Sequence, residues 1–260
     1  MAIPVVFSTG SLYPFGLDRV YALAAEAGYD GVEIMMDDRW DTHQADYLNG
    51  LAEKYGIPIR ALHPPLFRGA WDLDPEETLV RVARLAPKVG AEVVVAHPPS
   101  DGIRLEGWSN NTLADAREEG VTVAVENMPR DRAQGLIFGW DRQYCYRPET
   151  LLNLGEVTID TSHLAASGVG IIYALEILEG QVRHIHLSDS KLTGRDEHRV
   201  PGKGKLPLKE FLAALAQIDY PGVVSLELKP WPLGAPKMET VLERMREALA
   251  FTREGLEAGC

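Results

Sequence analysis

The chain has 260 residues, 45% of them hydrophobic, with 26 basic against 38 acidic side chains and a formal net charge of −12. This length and apolar content suit one large barrel or two small domains, and no run approaches the apolar length of a membrane span. The acidity argues against a broad basic surface that grips phosphates, but two or three bound divalent ions would raise the count to about −8 or −6. Nucleic acid therefore stays open as a partner.

The first residues, MAIPVVFSTG, lack the basic and apolar regions of a signal peptide and read as a strand. Strand and helix patterns then alternate. Residues 5–10 precede an amphipathic helix at 17–28, and 31–36 precede a second at 41–56, both glycine-terminated. Residues 58–65 lead to a helix entered at Asp74–Glu77, whose proline and acids suit an N-terminus. The run at 91–99 leads to a weaker helix at 109–119. Residues 121–128 are followed by a long loop with Gly135, Gly139 and Trp140, then a helix from about Pro148. Three further strand–helix pairs complete the chain: 157–163 with 171–180, 182–189 with 208–218, and 222–230 with 238–256.

Eight Val/Ile/Leu-rich strands alternating with eight helices predict a parallel sheet buried on both sides. A single (β/α)8 barrel over residues 1–260 is the economical solution, with a doubly wound sheet as the alternative. There is no linker, low-complexity tract or sequence repeat. Cys145 and Cys260 are far apart and fit no metal or redox spacing, so a reducing cytoplasm is expected. No obligate protein partner is evident.

Polar residues interrupt these apolar runs at one end. His63 ends the third strand, His97 the fourth, Glu126 the fifth and Asp160 the sixth, with His163 three residues on. His186 lies near the end of the seventh strand, Asp196 and His198 in the loop after it, and Glu227 near the end of the eighth. All nine are expected at C-terminal strand ends or in βα loops, the face where barrel active sites assemble. The densest stretch, HIHLSDSKLTGRDEHRVPGKG from His184 to Gly204, is expensive to bury unless something pairs its imidazoles and carboxylates. A divalent metal would do so, because neutral imidazole and carboxylate are the usual ligands of zinc and manganese. Nine donors exceed the needs of one ion, so two or three are expected, zinc first and manganese second. The plain alternative is a polar loop with satisfied histidines.

The strings VVVAHPPS, VAVENM, TIDTSHLAASG, HIHLSDSK, RDEHRVPGKG and VSLEL resemble endonuclease IV, within the xylose isomerase-like barrel superfamily. The most specific part is D-x-H-x-x-x-G-x-G from Asp196 to Gly204, combined with His63 and His97. The resemblance implies hydrolysis of duplex DNA on the 5′ side of abasic sites. It implies a first metal on His63, His97 and Glu126, a second on Glu126, Asp160, His186 and Glu227, and a third on His163, Asp196 and His198. Glu126 would bridge ions and Glu227 would orient the attacking water. Leu66 and Phe67 stand where the family offers a tyrosine–leucine pair to the lesion and are expected as an apolar wedge, with Arg130, Arg132 and Arg142 meeting phosphates. Sugar isomerases and epimerases share the pattern at Glu126, Asp160, His163, His186 and Glu227. The alternative is therefore a sugar or sugar phosphate substrate, with Glu126 and Glu227 exchanging protons beside one ion. Glu33 on the second strand reads either as a partner of the site or as a core-edge carboxylate, and His184 has no assigned role.

Overall fold

The computed structural model describes residues 2–65, 71, 73–100, 102–130 and 143–259. The predicted strands form as β1 (Val5–Ser8), β2 (Val32–Met35), β3 (Ile59–His63), β4 (Val93–Ala96), β5 (Thr122–Glu126), β6 (Val157–Asp160), β7 (Val182–Leu187) and β8 (Val223–Leu226). Each pairs in parallel with the next, and β8 returns to β1 through Val5–Val224 and Phe7–Leu226, closing an eight-stranded barrel. Closure rules out the doubly wound alternative.

Strand alternation sorts the residues between two environments. Val5 and Phe7, Val32 and Ile34, Ile185 and Leu187, and Val224 and Leu226 join the main core, together with helix residues such as Leu208, Phe211 and Leu249. Their neighbours in sequence, Ser8, Glu33, His184, His186 and Ser225, are equally buried but point to the barrel interior. Ala61, Val93 and Ala124 form a small separate apolar cluster there.

The main helices are α1 (Leu17–Ala27), α2 (Ala45–Tyr55), α3 (Pro75–Val89), α4 (Gly102–Trp108), α5 (Ala114–Glu118), α6 (Pro148–Leu151), α7 (Thr161–Ser167), α8 (Ile171–Leu178), α9 (Leu208–Gln217), α10 (Pro230–Leu233) and α11 (Met238–Glu257). Asp74 caps α3 by accepting from the backbone N–H of Glu76 and Glu77, both at 2.9 Å, as its acidic entry predicts. Several boundaries differ from expectation. The helix expected at 109–119 begins at Gly102 and passes through a π-helical turn, Ser109–Leu113. Burial of Trp108, Thr112 and Leu113 holds the segment against the barrel. The helix from Pro148 lasts one turn. The run at 157–163 stops being a strand at Asp160, whose Oδ1 accepts from the His163 N–H at 2.8 Å and starts α7. No single helix among the described residues is long and apolar enough to cross a membrane.

The loop after β7 is held by Asp189. Its carboxylate accepts from the backbone N–H groups of Ser190 and Leu206 at Oδ1 and of Gly202 and Gly204 at Oδ2, at 2.8–3.1 Å. Asp189 and Arg199 also exchange backbone hydrogen bonds of 2.8 and 2.9 Å. A Cβ on residue 204 would lie 2.2 Å from Asp189 Oδ1, so only glycine fits beside this carboxylate. The substitution Gly204→Ala is expected to cost about 1–3 kcal/mol, as overpacking of a filled site does. Thermal unfolding measures it; an unchanged melting temperature would contradict this account of the loop.

Candidate metal centre

The nine predicted donors are delivered by a few local devices. Strand ends present His63, Glu126 and Asp160, and His186 is the second inward residue of β7. His97 and Glu227 immediately follow β4 and β8. His163 sits on the first turn of α7 rather than in a loop, a consequence of the Asp160 cap. Asp196 and His198 come from the loop pinned by Asp189.

The donors converge into three overlapping groups. Around Glu126, His97 Nε2 lies 2.9 Å from Oε2, His63 Nε2 lies 4.0 Å from the same oxygen, and the two imidazole Nε2 atoms are 3.2 Å apart. In the central group, His186 Nδ1 lies 2.9 Å from Glu126 Oε1, 3.0 Å from Glu227 Oε2 and 3.8 Å from Asp160 Oδ2. In the third, Asp160 Oδ2 lies 3.7 Å from His163 Nδ1 and 4.0 Å from His198 Nε2, and Asp196 Oδ1 is 2.9 Å from that same Nε2.

Hydrogen bonds behind the rings set which nitrogen each imidazole offers. His63 Nδ1–H donates to the Pro64 carbonyl at 2.6 Å, and His198 Nδ1–H to the Glu227 carbonyl at 3.0 Å, so each turns its Nε2 to the cluster. His163 Nδ1–H donates to the Asn127 carbonyl at 2.9 Å. His186 does the reverse: Nε2–H donates to Glu33 Oε2 at 3.1 Å and Nδ1 faces the carboxylates. A backbone carbonyl or carboxylate behind the ring is the usual way a metal-binding histidine is held in one tautomer.

The spacings fit an ion. Donors bound to tetrahedral zinc at roughly 2.0–2.1 Å stand roughly 3.3 Å from one another, close to the separations seen here. The buried Asp160 Oδ2 has no hydrogen-bond partner, although three imidazoles surround it at 3.7–4.0 Å. An acceptor buried in that state is costly unless a cation meets it.

The electrostatics agree. Burial, aided by neighbouring His97, drives the His63 imidazole down to about 3, so it is neutral with its lone pair available. Burial also opposes charge on His198, but Asp160, Asp196 and Glu227 prevail and lift it to about 10. Likewise His186 rises well above the ordinary histidine value, burial being outweighed by Glu33, Glu227 and Glu126. Burial is the main reason that Glu227 rises to about 7, with His186 and His198 opposing and Asp160 and Glu126 adding. Without a cation, the cluster keeps protons where positive charge is needed.

Sequence reasoning missed the residues that brace these donors. Ser162 Oγ donates to Asp196 Oδ1 at 2.6 Å and accepts from the N–H of Glu197 and His198, tying the loop to α7. The Asn127 side chain pairs with the backbone of Asp160 at 2.8 and 3.1 Å. Lys229 Nζ lies 3.3 Å from Asp196 Oδ2. Their only sequence signal is adjacency to a donor. Glu33 proves to be a partner of the site, not a core-edge residue. Arg130 stacks 5.2 Å from the Tyr146 ring and lines a groove along α7 and α8 rather than the pocket over the donors. Leu66, Phe67, Arg132 and Arg142 lie outside the described residues. His43 stands apart, its Nε2 2.6 Å from the Asp37 carbonyl oxygen.

Because the metal-free His198 holds its proton up to about 10, divalent ion and proton compete for one lone pair at neutral pH. Metal uptake at about pH 7 is expected to release protons and to weaken as the pH falls. Calorimetry in two buffers of different ionisation enthalpy measures the release, and identical heats in both would contradict it.

Three kinds of similarity bear on this site. The family model described as "Xylose isomerase-like TIM barrel" matches residues 21–254. An uncharacterised protein of Mycobacterium leprae is 32% identical over 275 residues, spanning 96% of this chain and 97% of its own. The D-psicose 3-epimerase of Agrobacterium fabrum is 28% identical over 165 residues, 55% of this chain and 52% of that one. Among solved structures, a D-tagatose 3-epimerase-like protein superposes with a TM-score of 0.71 at 23% identity, covering 97% of this chain and 99% of its own. A family 2 AP endonuclease from Brucella melitensis gives a TM-score of 0.68 at 17% identity, covering 93% of this chain and 97% of its own. At those identities the structures share the fold alone, while the model match spans nearly the whole chain. This chain belongs to the xylose isomerase-like TIM-barrel family.

Proposed function

We propose that this chain is a metal-dependent sugar isomerase or epimerase that moves a proton on carbon next to a ketose carbonyl. The observation that carries this reading is the four-donor group Glu126, Asp160, His186 and Glu227, of which Glu126 and Glu227 line a pocket of about 490 Å³. That volume suits a small molecule. The partial sequence relationship to a psicose 3-epimerase points the same way.

Three carboxylates and one imidazole are a hard, oxygen-rich set that suits manganese. When bound, such an ion polarises a carbonyl and so acidifies the neighbouring C–H. The chain's own residues would do the rest. Glu126 and Glu227 come from strands three apart in the ring and flank the pocket floor. One carboxylate takes the proton from carbon and the other returns a proton to the opposite face, so configuration changes and no atoms are lost. Where no ion occupies that pair, His163 and His198 would bond the sugar hydroxyls. The pairs His63/His97 and His163/His198 are richer in imidazole and would admit a second and third ion, of the zinc kind.

A second reading, hydrolysis of abasic-site DNA, is favoured by one observation: all nine donors of a trinuclear centre are present and convergent. The acidic balance and the position of Arg130 away from the pocket weigh against it.

The test is manganese-loaded protein with a panel of free ketoses in D2O. Epimerisation with deuterium incorporated at the inverted carbon is expected. Glu126→Gln and Glu227→Gln should each lower kcat by roughly 10²–10⁴-fold, the usual contribution of a positioned acid–base group. No exchange on any ketose, together with a nick 5′ to an abasic site in duplex DNA, would replace this reading by the second.

A further inference from the structure

Directly beneath the central donors, the barrel interior holds a second polar layer that the proposed chemistry does not use. Glu33 is fully buried there, and two imidazoles donate to one of its oxygens: His184 Nε2–H at 2.5 Å and His186 Nε2–H at 3.1 Å. Both nitrogens meet the same carboxylate oxygen, so the trio ties His186 to a layer below the central donors.

The other atoms of the layer are unpartnered. Glu33 Oε1, His184 Nδ1, Ser8 Oγ and Ser225 Oγ are all buried without a hydrogen-bond partner. They belong to β2, β7, β1 and β8, four consecutive strands of the ring. Ser8 stands in register beside Glu33, and Ser225 beside His186. The chemistry of the four is complementary. Glu33 Oε1 accepts only, and His184 Nδ1, opposite the donating Nε2–H, also accepts only. The two serine hydroxyls can donate. Ala61, in register with Glu33 on its other side, leaves room. A buried water with two to four polar partners is the ordinary solution to such a set.

We infer that Glu33, locked by His184 and by buried water bridging to Ser8 and Ser225, is a positioning residue that aims His186 Nδ1 at the metal. An imidazole on a strand can rotate about its last bond and offer either nitrogen. Glu33 removes that choice by accepting from Nε2–H, and it raises the ring's basicity as a donor. The water and His184 keep the Glu33 carboxylate from swinging away. This rests on the metal-centre half of the reading above and is independent of the substrate.

The test is the affinity for Co2+, by competition with a chelator, together with the cobalt visible spectrum, for the full chain and its variants. Glu33→Ala is expected to weaken the ion held by His186 by about 10–100-fold and to change its spectrum, while ions on the outer histidine pairs are unaffected. Glu33→Gln, which keeps one acceptor, should lose less, and Ser225→Ala should shift affinity and spectrum in the same direction. A folded Glu33→Ala variant with unchanged affinity and spectrum would overturn the inference. Should that variant not fold, unchanged binding in both Glu33→Gln and Ser225→Ala overturns it equally. Failure of the unsubstituted chain to bind any divalent ion would instead overturn the metal centre itself.

Discussion

Charge buried at the end of a closed barrel is the constraint from which the rest of this structure follows. The ring turns alternate residues into a space shut off from bulk water, and at the C-terminal end those residues are ionisable. Glu33, Glu126 and Asp160 are essentially inaccessible, as are His63, His184 and His186. Ions stripped of water must be neutralised or paired, at several kcal/mol apiece otherwise. The arrangement here answers by alternation: carboxylates face imidazoles, and His63, His163, His186 and His198 each have a fixed acceptor behind the ring. What the pairing leaves over, above all Asp160 Oδ2, calls for a cation.

Holding this arrangement costs backbone freedom elsewhere. His198 adopts φ 41, a left-handed conformation unfavourable for a side chain of its kind. Three hydrogen bonds over-determine it: its N–H reaches Ser162 Oγ, its carbonyl accepts from the Lys229 N–H at 2.9 Å, and its ring donates to Glu227. The Asp189 carboxylate does the same for the whole loop by collecting four backbone N–H groups. Local strain at a binding site is thus offset by ordinary hydrogen bonds one layer out.

The same barrel is shared by a D-tagatose 3-epimerase-like protein and a family 2 AP endonuclease, so the fold leaves the chemistry open. On the proposed reading, a four-donor group on β5 to β8 would serve proton exchange beside a carbonyl. The additional imidazoles from β3, β4 and the loops convert the same floor into a candidate multinuclear centre. A barrel rim of βα loops can add or remove such donors without disturbing the strands. On the proposed reading, substrate choice would depend on rim residues and ion number rather than on architecture.

Strand alternation and the glycine and acidic helix boundaries are local, so the eight strands, their parallel closure and the C-terminal address of nine polar residues were legible from the chain alone. The helical place of His163 was not legible, because nothing local announces that Asp160 is both a strand end and a helix cap. The partners of Glu33 were illegible for a plainer reason: it meets His184 across 151 residues of sequence, by strands brought together only when the ring closes. Ser162, Asn127 and Asp189 are common polar residues whose roles depend on which backbone group lies 3 Å away. Periodicity and residue chemistry determined which side chains would enter the barrel. Only tertiary structure decided which of them would touch, because contact across the ring is set by register and closure rather than by neighbours in the chain.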